Sequence, residues 1–288
     1  MKFLPLITMC VLICILGSST LAQPSAKTPD SSSIAATSTL GEWTPMFGSF
    51  LEPNRFGTVY DANPHYLRLE AGFGGRTLLI GETSIGAECL IWSGLKSLSD
   101  FRFPVETADY FFGLYSIFPI RVGDLVYPMR ARISHISSHW VDGVKDSIVG
   151  GSSSRYSREF VSLETSLGEW SWGRSFVFRG TIGARWVFHQ VTIVEAPVQF
   201  LASMEFVPLR FGAHDENQLF LSLSDCAGAY APMPAAALVA RFAGGKGNAA
   251  LDVYGEYHSG YTRYGVKGDR KESGVEVGIR LGKNLLGN

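Results

Sequence analysis

His135, Ser137 and Glu159 combine residue types that suit covalent chemistry. A serine hydroxyl is a poor nucleophile until a base takes its proton. An imidazole can take it near neutral pH, and a carboxylate can hold the resulting imidazolium in place. The spacing predicts how the three would meet. In 127–139, Arg130, Arg132 and Ser134 alternate with Met129, Ala131 and Ile133, and the parity carries His135, Ser137 and His139 onto the apolar face. In 157–165, Arg158, Ser162 and Glu164 form the polar face, interrupted by Phe160, while parity places Glu159 with Val161 and Leu163. If these are neighbouring antiparallel strands with Ser137 opposite Glu159, His135 lies one diagonal step from the carboxylate. Ester hydrolysis is then the expected chemistry, with Ser137 attacking, His135 taking its proton and Glu159 orienting the ring. Asp142 is a second candidate for the carboxylate, but it follows the strand in a loop, so Glu159 is preferred.

The elements that must position these residues are strands. Across 175–189, Phe176, Phe178, Ile182, Ala184, Trp186 and Phe188 alternate with Arg179, Thr181, Arg185 and His189. The same period of two returns at Val198, Phe200, Met204 and Phe206, at Leu219, Leu221 and Leu223, at Leu251 and Val253, and at Val275, Val277, Ile279 and Leu281. Such alternation gives each strand one apolar and one polar face. The strands are long and carry Arg and Glu at mid-strand on the polar face, and short connections alternate with long ones. Together these predict an all-β fold, a closed antiparallel transmembrane β-barrel of about 12 strands, with lipid outside and polar groups in the lumen. Eight strands are expected at 126–139, 156–167, 174–190, 197–210, 217–225, 235–244, 248–259 and 272–282, and four more at 65–73, 83–93, 97–104 and 107–118. Arg130, Arg132, Arg158, Arg179, Arg185, Arg241, Glu164, Glu205, Asp252, Glu256, Glu276 and Arg280 then face the lumen. Their mixed signs predict cross-strand ion pairs filling a narrow barrel.

Composition agrees with this class. The 288 residues hold 25 Lys+Arg against 26 Asp+Glu, a net charge of −1, which argues against a nucleic-acid partner. Charged residues are only 18 %, aromatics 12 %, and there are 32 glycines. Lys2, the apolar run from Phe3 to Leu16, and Thr20-Leu21-Ala22 read as a signal peptide over 1–22, cut after Ala22. Residues 23–42, rich in Ser, Thr, Ala and Pro, read as a disordered leader, and 43–288 as the barrel. Cys10 and Cys14 fall in the signal. Cys89 and Cys226 remain, enough for one disulfide, and are read as small apolar residues. His65, His214 and His258 show no ligand spacing, so no metal and no other cofactor is expected. The glycine cluster 71–75 lacks the helix that a phosphate loop needs.

The segment Arg132-Ile-Ser-His-Ile-Ser-Ser-His-Trp-Val-Asp-Gly143, followed by Ser157-Arg158-Glu159, is similar to the signature of an uncharacterised bacterial outer-membrane family, domain of unknown function twelve-oh-seven. Tyr60-Asp-Ala-Asn-Pro64 resembles its N-terminal signature. More distantly, His135-x-Ser137 with an acidic residue on the next strand resembles lipid A deacylase barrels, which use Ser-His-Glu on the outer wall. Outer-membrane phospholipase A barrels use Ser-His-Asn in the same arrangement. That resemblance implies Ser137 as nucleophile, His135 as base and Glu159 as orienting carboxylate. Outer-membrane lipids would be the partners, with the barrel assembly machinery during biogenesis, and the bacterial outer membrane the location. The chain departs from those enzymes in having Ser138, not Asn, after the serine, and in lacking a terminal Phe. The rival expectation is a non-catalytic envelope barrel or small-solute channel, in which His135 and Ser137 sit at a rim where polar groups cost little, and His139, Trp140 and Tyr156 belong to an interfacial girdle.

Overall fold

The computed structural model describes residues 55–61, 66–96, 102–141, 156–172, 176–191, 196–212, 217–228, 234–244, 249–261 and 271–283. The expected signal peptide (1–22) and leader (23–42) lie outside the described residues.

Among the described residues, twelve antiparallel strands follow in order: β1 (Arg55–Asp61), β2 (Tyr66–Ile80), β3 (Thr83–Lys96), β4 (Val105–Val122), β5 (Leu125–Trp140), β6 (Tyr156–Trp172), β7 (Phe176–Val191), β8 (Val198–Phe211), β9 (Asn217–Gly228), β10 (Ala235–Gly244), β11 (Ala249–Tyr261) and β12 (Lys271–Lys283). Each strand pairs with its sequence neighbours, and β1 pairs with β12 as well as β2, so the order runs as a ring. Two differences from the sequence expectation lie upstream. Of the strand expected at 97–104, residues 97–101 lie outside the described residues, and Arg102–Pro104 are irregular. Pro104 cannot donate a ladder hydrogen bond, which fits its position just before β4. Nor is β1 anticipated by the sequence reading, because its seven residues are too few to show a clear alternation.

One end of the barrel carries short connections, 81–82, 123–124, 173–175, 212–216 and 245–248, and the other the longer ones, 97–104, 141–155 and 262–270 among them. Gly81, Gly123 and Gly212 take positive φ at the short end, a conformation glycine adopts without steric cost.

The inside-out sorting is plain. Phe176, Phe200, Leu221, Trp186, Val277 and Leu281 are exposed on the outer wall, Phe200 at 63 %. Arg130, Arg132, Arg158, Arg185, Glu164, Asp252, Glu276 and Arg280 are buried inside, and Glu205 is fully enclosed. A soluble sandwich would do the reverse. Ion pairs bind the interior across strands: Arg130 Nη2 to Glu164 Oε2 at 2.9 Å, Arg132 Nε to Glu88 Oε1 at 2.5 Å, Arg132 Nη1 to Glu164 Oε1 at 3.3 Å, and Arg241 Nε to Asp252 Oδ1 at 2.7 Å. Pairing of this kind is what makes buried charge tolerable.

Apolar side chains also fill the lumen. Leu90, Trp92, Phe111, Ile136, Phe160 and Val187 form one cluster. Val177, Val207, Phe220, Ala237, Val239 and Tyr254 form another. Phe160, which breaks the polar face of β6 in the sequence, is therefore an interior residue: it stacks on Phe111 with centroids 6.5 Å apart and lies under the Arg185 guanidinium at 4.5 Å. Cys89 and Cys226 are both free thiols.

Candidate active site on the outer wall

β5 and β6 place their odd-numbered residues outward and their even-numbered residues inward along the central part of each strand. His135, Ser137 and Glu159 therefore share the outer wall, near the end with the long connections. Their register differs from the expected one. His135, not Ser137, stands directly opposite Glu159, and Ser137 faces Ser157. The shift is two residues along the strand, so every side chain keeps its face while the neighbours change.

The direct register gives the imidazole a short contact. His135 Nδ1 donates to Glu159 Oε1 at 2.7 Å. The carboxylate can only accept when ionised, so this bond makes Nδ1 the protonated nitrogen and leaves Nε2 as the basic one. Ser157 Oγ donates to the same Oε1 at 3.4 Å. Ser137 lies two residues from His135 on the same face, about 6–7 Å at the Cα atoms, with Tyr110 of β4 opposite it on the other side. The Tyr110 and His139 rings stand 6.1 Å apart, centroid to centroid. Asp142, the second candidate carboxylate, lies outside the described residues.

A residue of the site that sequence reading missed is His189. Parity along β7 puts it with Arg179, Thr181 and Arg185 in the lumen. In the structure it is exposed on the outer wall, and its Nδ1 donates to Glu159 Oε2. The cause is a β-bulge. Phe160 pairs with Val187 and Glu159 with His189, so Phe188 is an extra residue between them. A bulge sets two residues against one and reverses the parity beyond it. Val187 is buried, Phe188 and His189 are both exposed, and Gln190 turns inward again. Glu159 thus bridges two imidazoles, one from each neighbouring strand.

The outer wall next to this cluster is grooved. A depression of about 650 Å³ is lined by Leu114, Ala131, Ile133, Leu163, Ala184 and Trp186. It is shaped by size contrast. Ala131, Leu163 and Ala184 are paired across three strands, so two small side chains flank a large one, and Ile133, Val161 and Trp186 occupy the neighbouring row. That second row is two residues from His135 and Glu159. The depression therefore lies beside the imidazole–carboxylate pair, and its lining ends one row short of it.

No family model matches the chain, and no curated protein matches it. The resemblance to the uncharacterised outer-membrane family consequently rests on the quoted segments alone. Solved structures do match. The chain is similar to the outer membrane phospholipase dimer of Salmonella typhi with bound calcium, at a TM-score of 0.53 and 13 % identity over 83 % of this chain and 95 % of that one. It is similar to outer membrane phospholipase A from Escherichia coli at a TM-score of 0.52 and 13 % identity, covering 85 % of this chain and 95 % of that one. At this identity the likeness is one of fold: an antiparallel all-β sheet of the kind that outer-membrane barrels are built from.

Proposed function

We propose that this chain is a closed barrel of the bacterial outer membrane that hydrolyses lipid esters at a Ser137–His135–Glu159 site on its lipid-facing wall. The carrying observation is the 2.7 Å contact between His135 Nδ1 and Glu159 Oε1 on the apolar face. An enzyme acting on lipids held in a bilayer must present its site where they arrive, which is the outside of the cylinder. The exposed apolar belt supports membrane placement, and the groove beside the site offers a path for an acyl chain.

In this reading the Ser137 hydroxyl attacks the ester carbonyl while His135 Nε2 takes its proton. The imidazolium is held by Glu159, which also keeps the ring in its useful tautomer. The imidazolium then protonates the departing alcohol, and an acyl-serine ester remains. Water, deprotonated by the same imidazole, attacks that ester and returns the serine with release of the fatty acid.

The test is Ser137→Ala in the purified, folded barrel, assayed on phospholipid and on lipid A. Release of fatty acid by the wild type, reduced to background in the variant, is expected. Equal activity in both forms, or none in either, removes the enzymatic reading. The non-catalytic barrel then stands.

A further inference from the structure

We infer that Glu256, His258 and Glu276 form a binding site for one divalent transition-metal ion inside the barrel. The site is separate from the outer-wall cluster and does not depend on its being catalytic. Sequence spacing gives no hint of it, because its third member comes from another strand. Glu256 and His258 are two apart on β11 and both face inward. The β11–β12 register places Glu276 directly opposite Glu256 and His258 opposite Gly274, one diagonal step from Glu276.

All three side chains are buried, each no more than 5 % exposed. One ligand atom from each lies within 4.8 Å of the other two. His258 Nδ1 and Glu276 Oε1 stand 3.8 Å apart, beyond a hydrogen bond. Two ligands at 2.0–2.1 Å from one tetrahedral ion stand about 3.3 Å apart, so small side-chain rotations bring the set to coordination distance. Two like-charged carboxylates set directly opposite each other in a sheet are unfavourable, and more so with little water to screen them. A cation between them relieves that repulsion. The imidazole decides its class. Carboxylates alone would suit calcium or magnesium, whereas one nitrogen and two carboxylate oxygens suit zinc and its first-row neighbours.

The floor of the site is built as well. Tyr254 packs over Gly278, where a Cβ would come within 2.5 Å of the ring. The Arg280 guanidinium lies 5.1 Å from the centroid of that ring. A wall of tyrosine thus stands beside the carboxylates on the side of the short connections.

The experiment uses the full barrel, folded in detergent, stripped with chelator and titrated with Zn²⁺, then with Co²⁺ for its visible absorption. The expected result is one equivalent bound, with affinity at least tenfold weaker in His258→Gln and in Glu276→Gln. The Co²⁺ bands should be lost in His258→Gln. Heat-modifiable gel migration reports folding. If Glu276→Gln fails that check, Glu256→Gln takes its place with the same expectation. His135→Ala/His189→Ala should bind as the wild type does. Less than a fifth of an equivalent bound by the wild type overturns the site. So does binding that survives His258→Gln or disappears in the His135/His189 double variant.

Discussion

Glu88 and Arg132 meet across a strand that lies between them. Glu88 is on β3 and Arg132 on β5, yet their side chains are 2.5 Å apart. The intervening β4 contributes Gly113 at the crossing, paired with Glu88 on one side and Ser134 on the other. A Cβ there would lie 2.8 Å from Ser134 Oγ and 2.9 Å from Glu88 Oε1. Gly113→Val should therefore force the pair apart. Overpacking of a filled interior costs about 1–3 kcal/mol, and the urea midpoint of refolding in lipid vesicles should fall accordingly. An unchanged midpoint would show that the crossing has room to spare.

Glu164 accepts from both Arg130 and Arg132 inside the barrel. Glu164→Ala leaves two buried guanidiniums without that partner. Loss of one partner from a buried pair costs about 3–5 kcal/mol. Replacing all three with apolar residues of similar volume should recover most of it. A mild Glu164→Ala variant, within about 0.5 kcal/mol of wild type, would argue that water reaches this belt.

The lipid-facing belt makes a different prediction. Ile133 is exposed near the middle of β5, and Leu125 at its end. Arginine costs about 2–4 kcal/mol at the midplane of a bilayer and about 0–1 near its edge. Ile133→Arg should be the more damaging by that margin in vesicles. If the two substitutions cost the same, the belt does not face hydrocarbon.

At the outer wall, Glu159 holds both His135 and His189. On the proposed reading, Glu159→Gln should lower the rate of ester hydrolysis by about 10⁴-fold, the scale seen when a triad loses its orienting carboxylate. His189→Ala should lower it less, since Glu159 keeps its contact with His135. Loss of all activity in His189→Ala with an unaffected Glu159→Gln would reverse the roles given to these two residues.

Much of this was legible in the chain because lipid and lumen demand opposite chemistries on alternate residues. The pairing of Phe176 with the outside and Arg179 with the inside needs no knowledge of neighbours. The faces of His135, Ser137 and Glu159 were legible for the same reason. Their register was not: the long 141–155 connection between β5 and β6 lets the strands slide by two residues without changing any face. His189 was hidden by a bulge, which shifts parity locally and leaves no mark in the alternation upstream. Glu276 joins His258 through a pairing between strands separated by a nine-residue connection, and only the register reveals it.

Phe188 has a consequence beyond its own bulky ring. Because this one amino acid of β7 stands outside the pairing, the ladder resumes with His189 on the exterior, where counting by twos from Arg185 would have put it inside. Excising Phe188 would restore strict alternation, with His189 following Val187 directly and keeping its outward place opposite Glu159. A single added amino acid of this kind enlarges the exterior by one side chain, Phe188 here, and leaves the lining of the cylinder untouched.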